Sequence, residues 1–210
     1  YSLINQVGFM VCGIGIGTQL AINGAVAHAF NDVLFKGLLF MTMGAVMYQM
    51  GSVRLEALTG LGRKMPWTMA AFVAGGLSLI GIPLTVGFTS KWFLVLGAIE
   101  SGMWPVAALV LGGSVLAVVY IWKVVEAAYF HDYLGDLEVR EAPLPLLIPI
   151  WVLVAANVYF GVDAGFTVGI ARQAAELLGL SMVRVRQLCR SGRLWSLNVS
   201  NRMRMLDAAE

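Results

Sequence analysis

The chain contains 210 residues, of which 59% are hydrophobic and only 12% are charged, and its formal net charge is +2. A soluble domain averages about 25% charged residues, so this composition excludes an ordinary soluble protein and predicts an all-α, polytopic transmembrane helix bundle. The sequence contains no glycine-rich phosphate loop, no metal-spaced Cys/His set and no Ser/His/Asp order. We therefore expect no cofactor, no metal and no enzymatic activity.

About six membrane spans are predicted, because a span needs about 20 apolar residues. Since the sequence starts at Tyr1, close to a hydrophobic run, we expect a fragment of a longer protein. The apolar runs fall at about 6–20, 22–50, 67–82, 91–100, 104–130 and 144–162.

The third and fourth runs are separated by residues that interrupt helices. Gly81, Pro83 and Gly87 lie in a stretch without charge. Proline and glycine at membrane depth mark a discontinuous helix, which is tolerated where it lines a cavity or packs on protein. We predict one such helix break here.

The C-terminal part changes in composition. We predict a transmembrane domain over residues 1–165 and an amphipathic segment over 166–180. Residues 181–210 form a basic tail with six arginines, interpreted as either a frameshifted or disordered end or a surface helix. The positive-inside rule would place the basic side of the protein in the cytoplasm.

Three titratable residues follow one another on the second predicted helix. His28, Asp32 and Lys36 are spaced by four residues, so at ~1.5 Å rise per residue they form a row with neighbours ~6 Å apart. Direct bonds across that distance are too long, but one water can bridge each gap. The row predicts a proton relay, because charges at membrane depth are costly and commonly functional. The alternative is an Asp32–Lys36 ion pair that fixes helix packing.

Lys91 is a further charge in an apolar run, beside the predicted helix break. No acidic residue lies within four positions of it, so a partner must come from another helix, from water or from another subunit. It can also meet backbone carbonyls that the break leaves free. The alternative is a lysine that snorkels to the membrane interface.

A second set of titratable residues lies at the end of the fifth predicted helix. Lys123 and Glu126 are three residues apart, and His131 follows closely. This set is interpreted either as an interfacial ion pair or as a port through which ions enter or leave.

Four segments resemble the antiporter-like family of proton-translocating membrane subunits. That family comprises the large membrane subunits of respiratory complex I, those of related hydrogenases, and the D-type and A-type subunits of multi-subunit sodium/proton antiporters. Over about residues 1–165, the sequence is most similar to the D-type subunits of bacterial antiporters. The segments are YSLINQVGFMVCGIGIGT, AVAHAFNDVLFKGLLFMTMGAV, LTGLGRKMP and LIGIPLTVGFTSKWF.

The resemblance implies roles for individual residues. His28 and Lys36 match the family's central-axis histidine and lysine, and Lys91 matches the lysine on its second broken helix. Asp32 stands where many members have a second histidine. The chain would be the second of two inverted repeats, which should not translocate ions without the first. The family also implies both termini outside, opposite to the charge count.

The sequence therefore predicts a fragment of a subunit that moves protons, or exchanges Na⁺ for protons, across the bacterial cytoplasmic (inner) membrane. Its expected partners are other membrane subunits of the same complex and the lipid bilayer, and no nucleic acid. The alternatives are a membrane subunit of NADH-quinone oxidoreductase or of a hydrogenase, and a scaffold subunit that does not transport.

Overall fold

The computed structural model describes residues 2–133, 138–177, 196–198 and 202–204, and these are almost entirely helical. The helices are α1 (Ser2–Ile16), α2 (Gln19–Met50), α3 (Leu61–Lys64), α4 (Pro66–Ile80), α5 (Val86–Glu100), α6 (Trp104–Phe130), α7 (Leu144–Val162) and α8 (Ala164–Leu177), with a 3-10 turn over Leu55–Leu58. Two short strands, β1 (Ser196–Asn198) and β2 (Arg202–Arg204), pair in antiparallel orientation, with Ser196 opposite Arg204.

The apolar helices agree with the predicted membrane protein. By length and composition, three described helices can cross a membrane, namely α2, α6 and α7. The remaining predicted spans correspond to α1, α4 and α5, which have 15 residues each. The predicted all-helical fold with one discontinuous helix is confirmed.

The first helix ends earlier than predicted. Its predicted span was about 6–20, but α1 ends at Ile16 because Gly17 adopts a positive φ of 74°. Such a conformation is easy for glycine and unfavourable for residues with a Cβ. The Thr18 hydroxyl then accepts a bond from the Ala21 amide at 3.1 Å, which satisfies a free N–H at the start of α2.

The discontinuous helix is interrupted over residues 81–85. Gly81 ends α4 in the left-handed conformation, with φ 91°. Leu84 also has a positive φ of 73°, which is strained for a residue with a side chain. Gly87 was predicted to be part of the break, but it lies inside α5. A Cβ there would collide with the Ser78 carbonyl of α4, so this glycine permits close packing of the two helices.

The described residues form two compact units. The first contains residues up to Phe30, residues 89–113 and α8, and the second contains residues 31–88 and 114–162. Each unit has its own apolar core. The core of the first unit contains Phe9, Ile16, Ala21, Ala25, Leu94, Val95, Ala98, Val106, Ala107 and Val110. The core of the second includes Phe35, Leu38, Val46, Leu61, Met65, Met69, Leu79, Ile121, Ile150 and Val154.

The predicted amphipathic segment 166–180 overlaps α8. Its last three residues lie outside the described residues, as does most of the predicted basic tail 181–210. The division of the chain into 1–165, 166–180 and 181–210 stays a prediction.

Candidate functional site

His28 is the centre of a buried polar group in the first unit. Its ring is fully buried, with Nδ1 2.8 Å from the Ser90 Oγ and Nε2 2.9 Å from the Gln6 Oε1. Gln6 and Ser90 are also fully buried. Three helices therefore meet at one imidazole, since Gln6 lies on α1, His28 on α2 and Ser90 on α5.

These two contacts fit both protonation states of the ring. With the Gln6 amide oriented as in the structure, Oε1 can only accept, so Nε2 carries a proton. In the neutral ring Nδ1 then accepts a bond from the Ser90 hydroxyl. In the charged ring Nδ1 donates instead, and the same hydroxyl oxygen accepts. A proton can therefore arrive or leave while both hydrogen-bonding partners stay in place.

Lys91 lies next to Ser90 on α5 and is only 6% exposed. Its Nζ is 5.5 Å from the centre of the Phe9 ring, within the range of a cation–π contact. The same Phe9 ring contacts His28 edge to face, with ring centres 5.7 Å apart. Burial of this lysine does not match the alternative of snorkelling to an interface.

Small residues bring the helices of the first unit close enough to form this group. A Cβ on Gly24 of α2 would lie 3.0 Å from the Leu94 amide nitrogen of α5. A Cβ on Gly97 of α5 would lie 2.7 Å from the Ala21 amide nitrogen of α2. Such close backbone approach is typical of membrane helix packing. It positions Ser90 against His28.

Asp32 and Lys36 form a direct ion pair in the second unit. The Lys36 Nζ lies 2.6 Å from the Asp32 Oδ2, and the two side chains are 12–13% exposed. The structure contains the ion pair that was predicted as the alternative to a relay, and the expectation that a direct bond across this gap is too long was wrong. The ~6 Å estimate applies to backbone positions one turn apart, whereas the long lysine side chain closes the distance. In the described residues, the Asp32 Oδ1 is buried without a hydrogen-bonding partner.

Asn31 connects α2 to the helix break. Its Nδ2 donates to the Val86 carbonyl at 2.7 Å, at the first residue of α5. Next to Val86 on α5, the Gly87 amide donates across the break to the Ser78 hydroxyl of α4 at 3.2 Å. The start of α5 is therefore held by side chains from both α2 and α4.

The residues proposed as a port lie at the end of α6 and directly after it. Lys123, Glu126 and His131 are all exposed. Among the residues that the structure describes, no ion pair joins Lys123 to Glu126. His131 instead places Nδ1 3.2 Å from the backbone oxygen of Glu126, near the end of α6.

Sequence reasoning missed the polar residues that bond to His28 and to the start of α5. Gln6, Ser90 and Asn31 are polar residues inside apolar runs, and that contrast was the available signal. Their contacts join residues 22 to 62 positions apart, which spacing along one helix cannot reveal. No group of three or more His, Cys, Asp or Glu side chains suited to a metal ion occurs in the part of the chain that the structure describes.

Known proteins with similar sequences are membrane subunits. The chain is 40% identical over 174 residues to NADH-quinone oxidoreductase subunit N of Desulforudis audaxviator, a match that covers 77% of this chain and 35% of the relative. It is 34% identical over 165 residues to the D-type subunit of the Na(+)/H(+) antiporter of Alkalihalophilus pseudofirmus, covering 78% of this chain and 34% of the relative. The chain thus spans about a third of the length of these relatives.

A solved structure has the same fold. The Mrp complex from Dietzia sp. DQ12-45-1b contains a chain that matches with a TM-score of 0.77 at 20% identity, covering 88% of this chain and 43% of that chain. The family described as NADH:quinone oxidoreductase/Mrp antiporter, TM, matches residues 1–117, where α1, α2, α4 and α5 lie. The chain is a multi-pass membrane protein that belongs to this family.

Proposed function

We propose that the chain is part of a subunit that moves protons, or exchanges Na⁺ for protons, across the bacterial cytoplasmic membrane. It acts together with other membrane subunits, as a component similar to the D-type subunits of antiporters. His28, Asp32 and Lys36 on α2 relay protons, and Lys91 on α5 is the further titratable group of the path. The observation that supports this most is the burial of a histidine and an ion pair on one helix of membrane-spanning length.

The cost of burying these groups argues for a function. A charged side chain at the bilayer centre costs about 2.5–3.5 kcal/mol on insertion scales, and such residues commonly mark ion pathways. An ion pair offsets part of this cost, but an apolar pair of similar size is often as stable or more stable. Structural stability alone therefore gives a weak reason for Asp32 and Lys36.

His28 supplies what a relay needs, because its two partners can hydrogen-bond to both the charged and the neutral ring. The imidazole is also the side chain whose unperturbed protonation changes near neutral pH. Lys91 lies one residue from the hydroxyl that bonds to this ring. These contacts support exchange of protons between α2 and α5 in the first unit.

One relative favours a second candidate function. The match to NADH-quinone oxidoreductase subunit N supports a membrane subunit whose ion movement is driven by quinone reduction. The two candidates differ in the driving force. Antiport proceeds when a Na⁺ gradient is applied alone, whereas the redox-driven subunit requires NADH and a quinone.

The test is the pH change inside inverted membrane vesicles that contain the intact assembly, driven first by Na⁺ and then by NADH. Lys91→Ala should abolish the pH change while the assembly persists at its normal level. Lys64→Ala is the matched control, because that lysine is exposed and belongs to none of the predicted sites. Normal pH changes in Lys91→Ala would refute the proposed path and favour a scaffold role.

A further inference from the structure

Helix α7 contains no charged residue, yet it buries an amide. Asn157 is 3% exposed, and neither its Nδ2 nor its Oδ1 has a hydrogen-bonding partner among the described residues. Buried side-chain polar atoms are usually hydrogen-bonded to protein or to ordered water. An asparagine with both polar atoms unpaired therefore points to a bound molecule.

The position of Asn157 follows from its neighbours on the same face of α7. Leu153, Asn157 and Gly161 are spaced by four residues and lie in one row. At one end, the Leu153 Cδ1 is 3.9 Å from where a Cβ on Gly37 of α2 would lie. At the other end, a Cβ on Gly161 would lie 2.5 Å from the Leu84 carbonyl oxygen. Asn157 thus lies between α2 and the helix break.

Asn31 reaches the same region from α2. Its Nδ2 donates to the Val86 carbonyl, directly after the break, while its Oδ1 is buried without a partner among the described residues. Asn31 is fully buried. Three unpaired polar atoms, Asn31 Oδ1, Asn157 Nδ2 and Asn157 Oδ1, are therefore provided by the two helices that border the break.

We infer that Asn31 and Asn157 hold an ordered water at the helix break, and that Asn157 is a positioning residue for the break through this water. Buried waters typically make about three hydrogen bonds to otherwise unsatisfied groups. Here the water donates to the two amide oxygens and accepts from the Asn157 Nδ2. The unpaired atoms comprise two acceptors and one donor group, a set that water satisfies and a purely apolar ligand does not.

The consequence concerns the start of α5. Asn31 holds the Val86 carbonyl through a hydrogen bond. The bridging water holds the Asn31 amide in the orientation in which its Nδ2 donates to that carbonyl. The break itself contains Leu84 at a positive φ, a strained conformation that the surroundings must hold in place. The water would thus link α7 to the helix break and the first residue of α5. Its effect on transport rests on the proposed function, whereas the water itself does not.

The first experiment is a structure of the intact assembly at a resolution that shows ordered water, for the parent protein and for Asn157→Leu. Density between the Asn31 and Asn157 side chains in the parent, absent in Asn157→Leu, supports the site. Amides that instead bond to protein groups, with no water between them, overturn the inference. This readout is independent of transport, so it also decides the matter if the proposed function fails.

The second experiment measures ion-driven pH change at matched assembly levels. Asn157→Leu should lower the rate about tenfold, equivalent to one hydrogen bond. Asn157→Ser, which retains a polar group and leaves room for a further water, should restore most of the rate. Val158→Leu is the control, because Val158 is 47% exposed on the same helix. A parent-like rate in Asn157→Leu overturns the positioning role.

Discussion

Removing one member of the Asp32–Lys36 pair should destabilise the protein more than removing both. Lys36→Met leaves the Asp32 carboxylate buried, with Oδ1 already unpaired among the described residues. Breaking a buried ion pair by deleting one partner costs about 3–5 kcal/mol. The side chains here are 12–13% exposed, so we expect the lower end, about 3 kcal/mol.

The double variant Asp32→Asn with Lys36→Met contains neither charge. Replacing both members of a buried pair is often neutral or stabilising, so we expect stability within about 1 kcal/mol of the parent. The coupling between the two sites should therefore be several kcal/mol. We expect the double variant to assemble normally and to fail in ion-driven pH change, because the relay groups are gone.

Thermal unfolding of the intact assembly, compared across the parent, both single variants and the double variant, measures this coupling. The exposed pair of Arg63 and Asp132 is the control, with side chains 75% and 79% exposed. Surface pairs contribute about 0–1 kcal/mol, so Asp132→Asn should change little. If the Asp32 and Lys36 effects add within about 0.5 kcal/mol, the buried-pair reasoning is wrong.

Three further substitutions test the packing around the break and the histidine, each by thermal unfolding of the assembly. Gly161→Ala places a methyl group against the Leu84 backbone and should cost about 1–3 kcal/mol. Gly112→Ala meets nothing within 4 Å and should be neutral or slightly stabilising; equal losses would contradict the close approach. Leu84→Gly removes the strain of a positive φ and should not lower the stability of the assembly. A clear loss of stability would show that contacts of the Leu84 side chain outweigh its backbone strain. Ser90→Ala deletes the hydroxyl that bonds to His28 Nδ1, with an expected loss of about 1–3 kcal/mol and slower ion-driven pH change. Parent-like stability and rate would exclude this bond from the relay.

Several elements were predictable because they depend on local sequence. The helices at 104–130 and 144–162 were predicted with the observed bounds, since long apolar runs with polar ends leave little choice in a membrane. The helix break was predicted from Gly81 and Pro83. The i, i+4 spacing of Asp32 and Lys36 placed the two side chains on one helix face.

Local sequence was less informative where bounds depend on a single backbone conformation. The end of α1 at Gly17 and the place of Gly87 inside α5 were both predicted incorrectly. In each case the side-chain pattern allows either outcome, and only Gly87 is in close contact with a neighbouring helix, at the Ser78 carbonyl of α4. The direct Asp32–Lys36 bond was predicted only as the alternative to a relay, because an estimate from backbone spacing ignores the reach of a lysine side chain.

The sequence by itself determined a helical membrane protein with titratable groups at membrane depth, because hydropathy and helical periodicity are local properties. Only the tertiary structure decided which groups meet. Gln6 and Ser90 contact His28, and Asn31 contacts Val86, through helices that are distant in the chain. Those contacts depend on the glycine-mediated approach of helix backbones and on the helix break, neither of which a linear pattern specifies.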